Sequence, residues 1–185
     1  TYASQAMVSN GNIIKKIYFP RLVIPISATL TASFDFLISL GLFLGLLLYY
    51  EINSDLAISW MNLIISVLIG YIVTIFTAFS LGTFLSAINV KYRDVRYILP
   101  FLIQTLFFIT PVMYDTSVIQ QPWIKQILQL NPLNFAIELI RNNLTNISSF
   151  ALPSITLWVP AIVIILYMIA IYTFRKTEAY FADIV

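Results

Sequence analysis

Asn89–Asp115, NVKYRDVRYILPFLIQTLFFITPVMYD, places a basic cluster directly against an uncharged segment that ends in Thr110-Pro111. Lys91, Arg93 and Arg96, with Asp94 among them, form a cationic border, and no Asp, Glu, Lys or Arg follows until Asp115. A basic border beside a short apolar segment marks a membrane surface. If that surface is cytoplasmic, the rest of the chain is oriented by it.

The surrounding composition agrees. With 60% hydrophobic and 10% charged residues and a mean hydropathy of +0.91, the chain has too little polar surface to coat a water-soluble globule of its size. Leu56–Val90, Tyr97–Tyr114 and Asn142–Phe174 carry no charged side chain, and Leu22–Tyr50 carries only Asp35. Roughly 20 apolar residues cross a bilayer as a helix. Four spans are therefore expected, at about Ile26–Tyr50, Trp60–Ile88, Ile98–Tyr114 and Ser154–Phe174, the third of marginal length. They must be helices, because lipid-exposed backbone has to satisfy its hydrogen bonds internally and the pattern lacks the dyad alternation of a barrel strand. The expected fold class is all-α, a polytopic helical membrane protein.

Charge sets the orientation. Lys15, Lys16 and Arg21 precede the first span, Lys91, Arg93 and Arg96 separate the second from the third, and Arg175 and Lys176 follow the fourth. These are eight of the ten basic residues, all on one side, while the loop Glu51–Ser59 has two acids and no base. The positive-inside rule makes both ends of this sequence cytoplasmic. Tyr49, Tyr50, Trp60, Tyr114 and Trp123 then fall at the outer boundary, and Tyr92, Tyr97 and Tyr172 at the inner one.

Absent residue types exclude several chemistries. The chain has no His and no Cys, which removes Ser/His/Asp and Cys/His nucleophiles, thiol redox work and ordinary zinc sites. It has neither a GxxxxGK[ST] loop nor a GxGxxG, so no catalytic, cofactor or metal site is expected, and any ATP and Mg would be held by another chain. The net charge of +2 is accounted for by the border clusters, and no nucleic-acid partner is inferred. The opening TYASQAMVSNGN reads as the tail of a preceding helix, and the chain as an N-terminally truncated piece.

Four features remain as functional candidates. Asn12–Arg21, NIIKKIYFPR, suits a short helix capped by Asn12 and stopped at Pro20, with Ile13, Ile14, Ile17 and Tyr18 apolar and Lys15, Lys16 and Arg21 beside them. It fits an interfacial lipid anchor or a knob that docks on a cytoplasmic partner. Asp35, an ionisable group inside a span, is a functional candidate by default. Gly41 and Gly45 form a GxxxG that admits close helix approach, within the chain or from another copy. Asp115–Leu152 is too long for a simple loop: Trp123, Ile124, Ile127 and Leu128 form one apolar face, and Asn131-Pro132 opens a second helix containing Phe135. These two helices either lie on the membrane or dip back to close a conduit. Two sequons, at Asn143 and Asn146, are frequent by chance.

Taken together, NxNIIKKIYFPR before a span, NVKYRDVRYILPFLIQTLFFITPVMYD, the NPLNF helix start and the closing FRKTEAYFADIV resemble the permease subunit of ABC-2 type exporters. The resemblance runs from about Ser9 to Val185 and is strongest to the branch that exports O-antigen, capsular and teichoic-acid polysaccharides. It implies a single permease domain over residues 1–185, the last four of six transmembrane helices plus the end of the second. Residues 1–21 would hold that end and the coupling helix, 22–114 three spans, 115–152 two outer gate helices, and 153–185 the last span and cytoplasmic tail. Asn12, Ile13, Ile14, Lys15, Lys16, Tyr18, Phe19, Pro20 and Arg21 would contact the ATPase, which replaces the lipid-anchor reading. Trp123, Ile127, Asn131, Pro132 and Phe135 would belong to the gate.

The implied assembly is two permeases and two ATPase subunits in a bacterial cytoplasmic membrane, moving a lipid-linked polysaccharide. Aromatic rings with scattered hydroxyls suit transient contact with sugars. Channel candidates are Asp35, Phe34, Tyr71, Phe76, Phe79 and Phe84, with Phe36 as a further ring and Thr31, Ser33, Thr74, Thr77 and Ser80 as hydroxyls; helix packing or lipid contact accounts for such residues equally. The nearest rival is an ABC-2 exporter of a drug or small lipid. A channel or secondary transporter would need a filter, paired intramembrane charges or broken helices, which Asp35 alone does not provide, and a docking scaffold would share the basic borders without needing the outer helix pair.

Overall fold

The computed structural model describes residues 2–9, 20–53, 58–92, 94–114, 119–144, 150 and 158–178. Its elements are α1 (Tyr2–Ser9), α2 (Val23–Asn53), α3 (Trp60–Lys91), α4 (Val95–Ile109), α5 (Pro122–Gln129), α6 (Pro132–Leu144) and α7 (Trp158–Glu178). No strand occurs among the described residues. The all-α expectation holds.

Three helices, α2, α3 and α7, are long and apolar enough to cross a membrane, and α4 is a shorter apolar helix. At 1.5 Å per residue the 15 residues of α4 rise about 22 Å, against about 30 Å of hydrocarbon. The expected third span therefore starts earlier and stops five residues sooner than the sequence pattern indicated. Proline explains the stop. Pro111 disfavours helical geometry at Thr110 and offers no N–H to continue the ladder, and the chain turns through Thr110–Tyr114.

Four further prolines are placed where a missing N–H costs least. Pro122 and Pro132 occupy the first position of α5 and α6, and Pro25 and Pro160 fall in the first turns of α2 and α7, where amides have no intrahelical acceptor. Pro100 is the exception, inside α4. It removes the amide that would bond the Arg96 carbonyl.

The chain divides into two compact units: Thr1–Ala32 with Ile75–Ile109 and Val163–Val185, and Ser33–Thr74 with Thr110–Ile162. In the first unit Ala6, Met7, Ile24, Ala87, Val90 and Phe174 form a buried cluster, with Leu22 and Ala28 packed against it. This draws α1 together with the start of α2, the end of α3 and the end of α7. A polar bond reinforces it, since buried Asn89 donates through Nδ2 to the Ser4 carbonyl at 2.9 Å. Gly82 permits the closest approach: a Cβ there would come within 2.8 Å of the Ala3 Cβ.

In the second unit α6 presents a buried face of Pro132, Phe135, Ala136, Leu139 and Asn143, spaced three or four apart as one helical stripe requires. It packs on α3 at Gly70, where a Cβ would meet the Ala136 carbonyl and Ile140 Cδ1 at 3.5 Å. At the end of α2, Trp60 Nε1 donates to Glu51 Oε2 at 2.7 Å, which joins the end of α2 to the start of α3.

Burial is uneven among the helices. The most apolar stretch of α2 has none of its residues buried, against 28% for α3 and 22% for α7, and Leu99 is the buried residue of α4. Apolar helices without water-soluble neighbours present such surfaces to lipid or to other helices.

Candidate functional site: a braced helical pair and an aromatic span face

The helical pair α5–α6 is tightly built. Leu130 and Asn131 close the link between the two helices, with Leu130 N donating to the Ile127 carbonyl and Asn131 N to the Leu128 carbonyl, both at 3.1 Å. Asn131 then caps α6: its Oδ1 accepts from the Leu133 amide at 3.0 Å, satisfying a donor that the helix leaves unpaired. Its Nδ2 donates to the Thr110 hydroxyl at 3.0 Å.

Arg141 provides the second brace. Its Nη2 donates to the Pro111 carbonyl and its Nη1 to the Tyr114 carbonyl, each at 3.3 Å. Irregular backbone next to apolar spans needs donors for its carbonyls, and a guanidinium fork supplies two from one side chain. Sequence reasoning missed this residue. Its acceptors are main-chain atoms 27 and 30 positions away, which no side-chain pattern records.

The expected gate residues fall in different surroundings. Pro132 and Phe135 are buried and Asn131 is half-buried, whereas Trp123 and Ile127 are exposed. The first helix therefore divides its apolar residues, turning Leu128 inward and leaving Trp123 on the surface. Asn134, on the buried side of α6, has an Oδ1 without a hydrogen-bond partner among the described residues.

The six channel candidates are divided between the two units. Phe34, Asp35 and Tyr71 belong to the second unit, and Phe76, Phe79 and Phe84 to the first. In the second unit the Tyr71 ring stacks on Phe36 at 5.7 Å and 15°, and its hydroxyl shares a 2.5 Å hydrogen bond with Ser33. Tyr71 also edges an apolar cleft of about 300 Å³ with Leu37, Leu40, Leu44 and Ile64. Phe34 and Asp35 are exposed. In the first unit Phe76 and Phe79 line a cleft of about 290 Å³ with Thr29, Leu30 and Tyr167, and Phe79 and Tyr167 meet at 5.8 Å. Phe84 is half-buried.

The candidate hydroxyls are largely committed. Thr31 donates to the Ser27 carbonyl, Thr74 to Gly70 and Ser80 to Phe76, the back-bonding that apolar surroundings favour. They retain lone pairs that accept but no free proton to donate. Thr77 and Ser80 are buried.

At the basic border, Lys91 ends α3 with its Nζ 5.2 Å from the Tyr92 ring centroid, and the Arg96 guanidinium lies 5.0 Å from that of Tyr97. Asp94 is exposed, and its carbonyl accepts from the Tyr97 amide at the start of α4. Arg93 lies outside the described residues. So do Asn12, Ile13, Ile14, Lys15, Lys16, Tyr18 and Phe19 of the coupling segment. Pro20 is exposed, and Arg21 donates through Nη1 to the Glu178 carbonyl at 2.6 Å.

The model of the ABC-2 type transporter family matches residues 4–145, a stretch that includes α2, α3, α4 and the braced pair. The chain belongs to the ABC-2 type transporter family. This ABC-2 chain is 30% identical over 183 residues to an O-antigen export system permease protein RfbA of Klebsiella pneumoniae, covering 97% of the chain and 66% of the relative. A second Klebsiella pneumoniae protein of that name is 29% identical over the same share of each. The RfbA permease protein of Myxococcus xanthus is 33% identical over 133 residues, 70% of the chain and 48% of the relative. The ABC-2 chain thus spans just under two thirds of the Klebsiella relatives. Its family is that of a membrane-embedded transport component, which accords with three span-length apolar helices.

Proposed function

We propose that this chain is the permease subunit of an ABC exporter that moves a lipid-linked polysaccharide of the O-antigen class across the bacterial cytoplasmic membrane. The observation that carries the reading is the similarity, over 97% of the chain, to proteins named as O-antigen export permeases. A separate ATPase subunit hydrolyses ATP, and two copies of the permease enclose the path. Asn12–Arg21 receives the ATPase movement, and α5–α6 form the outer gate.

Physical features support the parts of this scheme. Among the described residues the first unit carries Arg21, Lys91, Arg96, Arg175 and Lys176 against Asp94 and Glu178, and the second carries Lys125 and Arg141 against Asp35, Glu51 and Glu138. The excess of basic residues at one set of helix ends is the bias that retains those ends in the cytoplasm. Exposed α2 supplies apolar surface for a second copy, and the stacked Phe36–Tyr71 pair offers a ring face to sugar C–H groups.

Co-expression of the full-length permease with the ATPase encoded beside it, followed by detergent extraction, tests the assignment. A stable complex whose ATP turnover changes on substitution of Ile14 or Tyr18 is expected. No association, with turnover unaffected by those substitutions, would refute it.

A further inference from the structure

Arg21 and Glu178 are 157 positions apart in the sequence, yet the Arg21 guanidinium donates to the Glu178 main-chain carbonyl at 2.6 Å. Both lie in the first unit. Arg21 is in the turn that starts α2, where the Ile24 amide donates to the Arg21 carbonyl at 3.2 Å. A helix N-terminus carries partial positive charge and disfavours a cation, so α2 itself gives Arg21 no electrostatic reason to be there.

The end of α7 does. Glu178 is the last residue of that helix, and the final four carbonyls of a helix lack intrahelical donors and carry partial negative charge. Arg175 and Lys176 already occupy the last turn of α7, and Arg21 adds a third cation to this helix end from a different helix. Apolar contact acts beside the ionic bond: Leu22 packs on the buried cluster that contains Ile24 of α2 and Phe174 of α7. The bond is charge-assisted and part-buried, and both properties strengthen it relative to an exposed neutral pair.

We propose that Arg21 is a positioning residue that clamps the first turn of α2 to the last turn of α7, so that both span ends move as one body during the transport cycle. This rests on the coupling role proposed for the segment ending at Arg21. Movement delivered there reaches α2 through the chain and α7 through the guanidinium. Because the acceptor is a main-chain atom, the side chain at 178 has no part in the clamp.

The test uses the full-length permease co-expressed with its ATPase, in a background free of other cysteines, with surface glycan and ATP turnover as paired readouts. Arg21→Ala is expected to lower surface glycan roughly ten-fold, as loss of a charge-assisted bond implies. Arg21→Lys recovers part of the export, and Glu178→Ala matches wild type. The decisive variant is Arg21→Cys with Glu178→Cys, joined by a short bifunctional thiol reagent: crosslinking restores export relative to Arg21→Cys alone. Wild-type export by Arg21→Ala overturns the clamp, and so does crosslinking that arrests the double variant, because the two ends then separate during the cycle. If Arg21→Ala fails to accumulate, Arg21→Lys, which keeps a cationic donor, decides: export reduced below wild type supports the clamp and full export overturns it. Failure of the wild-type permease to bind or stimulate the ATPase would instead count against the parent reading.

Discussion

Asn131 holds the Thr110 hydroxyl through Nδ2 at 3.0 Å while its Oδ1 accepts from the Leu133 amide at the same distance. One side chain thereby caps α6 and fixes the turn that carries Thr110. Asn131→Ala loses both bonds and should lower thermal stability by about 1–2 kcal/mol. Asn131→Asp keeps the cap acceptor but not the donor, and Thr110→Val removes only the tie. Melting of the purified protein in detergent should rank these two variants between wild type and Asn131→Ala.

Arg141→Ala leaves the Pro111 and Tyr114 carbonyls without the guanidinium donors. Hydrogen exchange should rise at 110–114 more than in α6 itself. Arg141→Lys should recover only part of the protection, because an ammonium lacks the planar fork. Equal exchange in all three proteins would show that the brace does not hold the turn.

The described glycines divide into two groups, packed and open. A Cβ at Gly82 would meet Ala3 Cβ at 2.8 Å, and one at Gly70 would meet its neighbours at 3.5 Å or beyond. Gly82→Ala should therefore destabilise the chain by about 1–3 kcal/mol through overpacking, while Gly70→Ala is tolerated and Gly70→Leu is not. No described atom lies within 4 Å of a Cβ at Gly41 or Gly45. Alanine at either should leave the fold intact, and any loss of self-association in a crosslinking assay would assign the GxxxG to contact with another copy.

The spans were legible because hydropathy measures what the bilayer requires, and Asn131-Pro132 was legible because capping is a local code. The early end of α4 was harder to read, since Val112, Met113 and Tyr114 are as apolar as the helix before them and only the backbone effect of Pro111 sets them apart. Long-range polar contacts were not legible. Arg21 and Arg141 both bond main-chain carbonyls, which every residue possesses, so residue type gives no sign of the partner. The aromatic candidates were ambiguous for a related reason: a ring that packs on another, as Phe79 does on Tyr167, has the same sequence signature as one that lines a path.

Orientation is open to direct labelling, because the chain has no native cysteine. Lys91→Cys and Lys176→Cys should react with an impermeant maleimide only after the membrane is opened. Lys125→Cys should react in intact spheroplasts. Reaction of Lys91→Cys from outside would reverse the assigned topology.

The most direct measurement is surface polysaccharide in cells lacking this gene, after return of the full-length permease with an active ATPase or with an ATPase whose nucleotide-binding lysine is replaced. The account predicts surface glycan with the active pair and intracellular accumulation of lipid-linked glycan with the disabled one. Equal surface glycan in both strains, or none with the active pair despite a stable complex, would contradict it.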